Sequence, residues 1–79
     1  MKTYYPMATY DEQIDNFHTL TTYDSLWYPR DCLEVFEKWI SAGYKIDRMW
    51  IQVYEHQQII DEISVVISNG HPVLVKKWS

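Results

Sequence analysis

The sequence predicts an α+β domain, a mostly antiparallel sheet with one amphipathic helix packed on a face. Residues 29–42 separate apolar from polar side chains at helical spacing. Most other segments alternate or are rich in β-branched residues, as strands are, and Asn69-Gly70 is a strong hairpin signal. A chain of 79 residues is expected to form a single domain, residues 1–79, with the element order β-β-α-β-β-β.

Two strands are predicted before the helix. Residues 3–10 are interrupted by Pro6, which has no N–H to donate, so this run is expected to be irregular or to lie at the sheet edge. Residues 16–23 are rich in β-branched and aromatic side chains and are predicted as the second strand.

Both ends of the predicted helix carry sequence signals. Pro29 suits the first helical position, because the missing N–H has no partner there, and Gly43 can adopt the left-handed conformation that ends a helix. One half of the helical wheel holds Cys32, Leu33, Val35, Phe36, Trp39, Ile40 and Ala42, and the other half holds Arg30, Asp31, Glu34, Glu37, Lys38 and Ser41. The apolar half is expected to face the sheet.

Three strands are predicted after the helix. Residues 46–54 alternate and place Met49, Ile51 and Val53 on the expected core face. Residues 59–68 also fit a helical stripe, but six β-branched apolar residues followed by Asn69-Gly70 favour a strand. Residues 71–78 are then predicted as the returning strand.

The charge of the chain disfavours general binding to nucleic acid. Seven Lys and Arg against eleven Asp and Glu give a net charge of −4, and phosphate backbones repel a chain of that sign. Residues 1–37 hold seven of the acids and two of the bases. This asymmetry predicts one acidic surface, which would suit a basic partner.

The single cysteine indicates a reducing compartment. Cys32 cannot form an intramolecular disulfide, whereas a secreted chain this small usually carries several. No apolar run has the length of a secretory signal or a membrane span. The predicted location is the cytoplasm, or the host cytoplasm if the chain is phage-encoded, with no membrane partner.

No residue pattern predicts catalysis, a metal site or a cofactor. Cys32 lies at the centre of the apolar helix face, where a free thiol behaves as a small hydrophobe. His18, His56 and His71 lack metal-ligand spacing, and Gly43 and Gly70 serve as helix and turn signals rather than in a phosphate-binding loop. The chain is therefore expected to be a non-enzyme that uses neither metal nor cofactor.

Two groups of side chains could form a binding surface. A basic-aromatic set could stack bases and contact phosphates: Lys45, Arg48, Trp50, Lys76, Lys77 and Trp78. An acidic-aromatic set is larger: Tyr10, Asp11, Glu12, Asp15, Tyr23, Asp24, Trp27, Tyr28, Asp31, Glu34 and Glu37. All of the second set except Tyr23 are predicted protein-binding residues, because Tyr and Trp dominate interface energetics and carboxylates orient a basic partner.

By elimination, the predicted function is a non-enzymatic protein-binding module. Small acidic domains of this kind often act as stoichiometric inhibitors, so the prediction extends to a phage-encoded inhibitor of anti-CRISPR or other anti-defence type. It would block a basic surface of a nucleic-acid-processing protein. The alternatives are a small protein that binds single-stranded nucleic acid and a homo-oligomeric structural subunit, for which an exposed apolar sheet face would allow a homodimer.

Overall fold

A computed structural model describes residues 1–13 and 16–75 of the chain. Within them the chain forms five strands and one helix: β1 (Thr3–Gln13), β2 (Asn16–Thr21), α1 (Pro29–Ser41), β3 (Ile46–Glu55), β4 (Gln58–Ser68) and β5 (His71–Leu74). The strands form one antiparallel sheet in the order β2-β1-β3-β4-β5, and α1 packs on one face. The predicted α+β class and element order are confirmed.

The helix begins and ends as predicted. Pro29 is its first residue, Ala42 donates its N–H to the Lys38 carbonyl at 2.9 Å, and Gly43 follows with φ +93°. The extended backbone of Tyr28 precedes the helix. In the part of the chain that the structure describes, no helix has the length and apolar character needed to cross a membrane.

The core lies between α1 and the sheet. Cys32 and Phe36 from the helix pack against Ala8 of β1, Met49 and Ile51 of β3, and Val65 of β4. Val53 is buried as well, so the predicted core face of the third strand is confirmed. Because side chains alternate along a strand, every second residue points away from the helix, and that second face carries no helix among the described residues.

Two tight hairpins connect the last three strands. His56 and Gln57 link β3 to β4 with φ values of 52° and 64°, and Asn69 and Gly70 link β4 to β5 with 51° and 82°. Two consecutive residues with positive φ form the turn that matches the twist of paired strands. Residues 59–68 are therefore strand, as predicted, with the predicted turn at Asn69-Gly70.

The first strand is present and irregular, with register shifts at Thr9/Tyr10 and Asp11/Gln13, but its predicted edge position is wrong. β1 lies between β2 and β3 and spans eleven residues, Pro6 included. Tyr4 and Leu26 exchange backbone hydrogen bonds of 2.8 Å, so Tyr4, and with it Pro6, directs its backbone toward the β2 side. β2 ends at Thr21, which pairs with Met7. Pro6 thus lies between the end of β2 and the Leu26 bridge, where a backbone N–H would have no neighbouring strand to donate to.

The two edges of the sheet differ in their backbone chemistry. In β5, Val75 donates its N–H to the Ser64 carbonyl at 2.9 Å, so by alternation Pro72 and Leu74 face outward. Pro72 therefore removes one donor from this edge. β2 forms the opposite edge.

The ends of the two edge strands differ from the prediction. β2 ends at residue 21, two residues before the predicted limit of 23. Of the predicted strand 71–78, residues 71–74 are strand, and residues 76–79 lie outside the described residues.

Candidate functional site

The loop between β2 and α1 exposes three large aromatic side chains. Tyr23 is 99% exposed, Trp27 61% and Tyr28 55%. The loop is anchored by the paired backbone hydrogen bonds between Tyr4 and Leu26, and the Thr22 hydroxyl donates to the Asp24 carbonyl at 2.8 Å. The aromatic rings are therefore presented to solvent from a segment whose backbone is held at several points.

The helix continues this surface with charged groups. The Arg30 guanidinium lies 4.8 Å from the centroid of the Tyr28 ring, a cation–π contact. Glu34 and Glu37 are exposed, and a shallow depression of about 540 Å³ is lined by Glu34, Glu37, Lys38, Ser41 and Ala42. Glu37 Oε1 lies 2.9 Å from His71 Nδ1 of β5, a contact that joins the helix to the sheet edge.

Six of the predicted binding residues lie on the loop and along the helix. We call this surface the loop–helix patch: Asp24, Trp27, Tyr28, Asp31, Glu34 and Glu37. Asp31 is half-buried in the first turn, and the other five are exposed. Two exposed aromatic rings and four carboxylates follow one another along the loop and the helix, so the patch combines apolar contact area with negative charge.

Two other predicted residues lie at the far end of the helix. Tyr10 packs against His18 and Tyr44, with ring centroids 5.3 and 4.9 Å apart, and Asp11 donates its N–H to the Lys45 carbonyl at 3.2 Å. A 13-residue helix is about 20 Å long, so these residues do not join the loop–helix patch. The Glu12 side chain and Asp15 lie outside the described residues.

Sequence reasoning gave little weight to Tyr23, the most exposed aromatic of the loop. It was included in a predicted strand that ends earlier, at Thr21. Arg30 was identified only as part of the polar helix half, although it stacks on Tyr28. The sequence signal for this cation–π contact was the position of Tyr28 and Arg30 on either side of Pro29, the first helical residue.

Cys32 is fully buried on the core side of the helix. Burial raises the pKa of its thiol from 9.0 to about 12, and the negative charge of Asp31 adds to this rise. A nucleophilic cysteine needs a lowered pKa and access to a substrate. The thiol therefore has the environment of a core side chain.

The predicted basic-aromatic set is only partly described. Arg48 stacks over Trp50, with its guanidinium carbon 4.9 Å from the ring centroid, on the sheet face opposite α1. Lys76, Lys77 and Trp78 lie outside the described residues. Within residues 1–13 and 16–75, no three His, Cys, Asp or Glu side chains converge as metal ligands.

A cleft of about 640 Å³ opens between β3 and β4 beyond the Met49–Val65 pair. Ile40, Tyr44 and Ile46 line one side, and Val66, Ile67 and Gly70 line the other. The ladder between the two strands ends at this pair, while β3 continues beside β1 to Ile46 and β4 continues beside β5 to Ser68. The cleft thus separates the valine-rich β4–β5 hairpin from the rest of the sheet.

Comparisons of the chain with protein-family models, with curated proteins and with solved structures return no match. The choice of a function therefore depends on the surface chemistry of the chain.

Proposed function

We propose that this chain is a protein-binding module that uses the loop–helix patch to hold a partner with a basic surface. The observation that carries the proposal is the exposure of Trp27 and Tyr28 in an anchored loop that leads directly into an acidic helix face. Trp and Tyr are the residues most enriched among interface hot spots. A loop already held in place loses little conformational entropy when it binds.

The charges of the patch set the kind of partner. Asp24, Glu34 and Glu37 are exposed acids, while Arg30 and Lys38 are the bases on the same helix face. The excess of carboxylates attracts lysine and arginine side chains, which raises the association rate and orients the partner. Burial of the two aromatic rings then supplies most of the affinity, because exposed ion pairs contribute little.

The specific form that we propose is a small stoichiometric inhibitor, phage-encoded and of anti-CRISPR or other anti-defence type. Proteins that process nucleic acids hold phosphates with basic surfaces, and an acidic chain bound at such a surface would block access. The support for this form is the acidic character of the chain, which has a net charge of −4.

Removal of the Trp27 side chain is expected to weaken partner binding strongly. The partner is first identified by affinity capture with the tagged chain from lysate of the source cell, at low and high salt, and then purified. We expect Trp27→Ala to raise Kd by about 30-fold or more, which corresponds to the ~2 kcal/mol of a hot-spot residue. The measurement is titration calorimetry with the purified partner.

Tyr44→Ala is the matched control for Trp27→Ala. Tyr44 is also an exposed aromatic residue but lies beyond the opposite end of the helix. Its removal is expected to change Kd by less than about threefold, as for residues outside a hot spot. Equal effects of the two substitutions would move the site away from the loop–helix patch.

Charge reversal at Glu34 is expected to slow association. Glu34→Lys should lower the association rate constant by about tenfold at low salt and reduce its dependence on ionic strength, because exposed charges act mainly through steering. Stopped-flow mixing with the purified partner at several salt concentrations measures both quantities. Asp47→Lys makes the same charge change at an exposed site outside the patch and should have a clearly smaller effect; a larger one would contradict the assignment.

A further inference from the structure

The face of the sheet opposite α1 is more apolar than an exposed antiparallel sheet normally is. By register, this face carries Tyr5 and Met7 of β1, Trp50 and Tyr54 of β3, Val66 of β4, Val73 of β5 and Val75. Val66 is 48% exposed, Val73 37% and Val75 38%. The polar members of the same face are Thr9, Thr19, Thr21, Arg48, Gln52, Glu62 and Ser64. About half of the face is therefore apolar, whereas a solvated sheet face usually shows mostly polar side chains.

Two neighbouring rows of side chains cross this face from strand to strand. The first row contains Thr19, Thr9 and Arg48 and continues, across the cleft at the end of the β3–β4 ladder, with Val66 and Val73. The second row contains Thr21, Met7, Trp50, Ser64 and Val75. Arg48 and Trp50 already touch within one copy, with the guanidinium carbon 4.9 Å from the ring centroid. Each row therefore offers groups that complement the other row.

We propose that this face is a homodimer interface, in which two copies pack sheet against sheet about a two-fold axis running between the two rows. Such an axis places the first row of one copy over the second row of the other. Val73 then meets Val75 of the second copy, Arg48 meets its Trp50, and no like charges of these rows face each other. The two helices lie on the outside, and the sheets are about 10 Å apart.

The available area reaches the lower limit for a specific dimer. Five strands spaced about 4.8 Å apart make a face about 24 Å wide. Two side-chain rows span all five strands, and two more span β1, β3 and β4, so each copy offers on the order of 500 Å². Two copies would bury about 1,000 Å², the smallest size expected of a biological interface.

Two other occupants of this face are less favoured. Single-stranded nucleic acid would need several cations, whereas the five-strand rows of the described face offer Arg48 alone. The same face carries the exposed acid Glu62, and the net charge of the chain is −4. An extended peptide added at the β5 edge would lose a hydrogen bond at Pro72, which has no N–H to offer. Packing of a second copy on this face requires neither several cations nor a backbone donor at Pro72.

The first test is the mass of the full chain in solution. Sedimentation equilibrium up to about 200 µM, where even weak dimers with micromolar Kd form, should show a dimer. Val73→Glu should raise the dimer Kd at least tenfold, and circular dichroism verifies that this variant is folded. Ile67→Glu introduces the same charge at an exposed apolar residue on the helix side of β4 and should leave the dimer intact.

The second test examines the proposed register and does not depend on loss of binding alone. Because residue 73 of one copy faces residue 75 of the other, Val73→Glu mixed with Val75→Lys should form a one-to-one heterodimer at least tenfold tighter than either variant with itself. A wild-type chain that stays monomeric at 200 µM would overturn the proposal. The proposal would also be overturned if Val73→Glu and Val75→Lys formed no heterodimer when mixed. The same holds if a single-stranded oligonucleotide quenched the tryptophan fluorescence of a monomeric chain.

Discussion

Phe36→Ala is expected to lower the free energy of unfolding by about 3–5 kcal/mol, the loss typical of a large aromatic removed from a core. Phe36 is fully buried, packs edge-to-face against Trp39 with centroids 5.6 Å apart, and contacts the sheet through the core cluster. A domain of this length has a total stability of roughly 4–12 kcal/mol. The loss is therefore a large fraction of the total, and the variant should unfold at a clearly lower urea concentration than the wild type.

Denaturation by urea, followed by circular dichroism, measures this loss. Val35→Ala in the same helix is the control, because Val35 is only half-buried, and alanine is the better helix former. We expect its cost to stay below about 1 kcal/mol. Similar midpoints for the two variants would show that Phe36 does not hold the helix on the sheet.

Cys32 should react with thiol reagents at pH 8 about a thousandfold more slowly than an ordinary cysteine, since its pKa lies about three units above 9.0. Reaction requires the thiolate, which the buried site disfavours. The assay is absorbance on reaction with a disulfide reagent, before and after addition of guanidinium chloride. A cysteine placed by Ser41→Cys in the Cys32→Ser background lies on the exposed side of the same helix and should react at the ordinary rate.

The same thiol makes stability depend on pH in the alkaline range. The unfolded chain releases the Cys32 proton near pH 9, whereas the folded chain keeps it to about pH 12. The folded state then binds more protons than the unfolded state, so the free energy of unfolding falls as pH rises through this window. Relative to Cys32→Ala, the wild type should lose stability above pH 9 and not below it; parallel curves would refute the burial argument.

Local signals were sufficient for several elements of the fold. Pro29 and Gly43 mark the helix because each needs a particular backbone conformation, and neither depends on distant contacts. Asn69-Gly70 likewise identified the β4–β5 hairpin, and its positive φ values show why those residues are needed. Alternation in β3 predicted the core face, because one side of that strand is buried by the helix.

Pro6 could not be understood from its neighbours in sequence. Its place in an interior strand is possible only because β2 stops at Thr21 and Leu26 bridges to Tyr4. The order of the strands and the residues at which they end depend on contacts between residues that are distant in sequence. A rule based on proline alone therefore placed this strand at the edge.

The candidate site was predictable in composition but not in extent. Trp27 and Glu34 lie on one surface because a single loop leads into the helix. Tyr10 has the same chemistry, yet the whole length of α1 separates it from Trp27. The apolar face of the sheet needed the register of all five strands, since its members come from distant segments.

Pro72 has a consequence for the behaviour of the chain at high concentration. A fibre of stacked strands grows only if each copy can accept a neighbour at both sheet edges. Among the described residues, the β5 edge offers a proline in place of a donor, while β2 offers an ordinary backbone. Strand addition through β2 would therefore join two copies, and the missing N–H of Pro72 would oppose a further addition at β5.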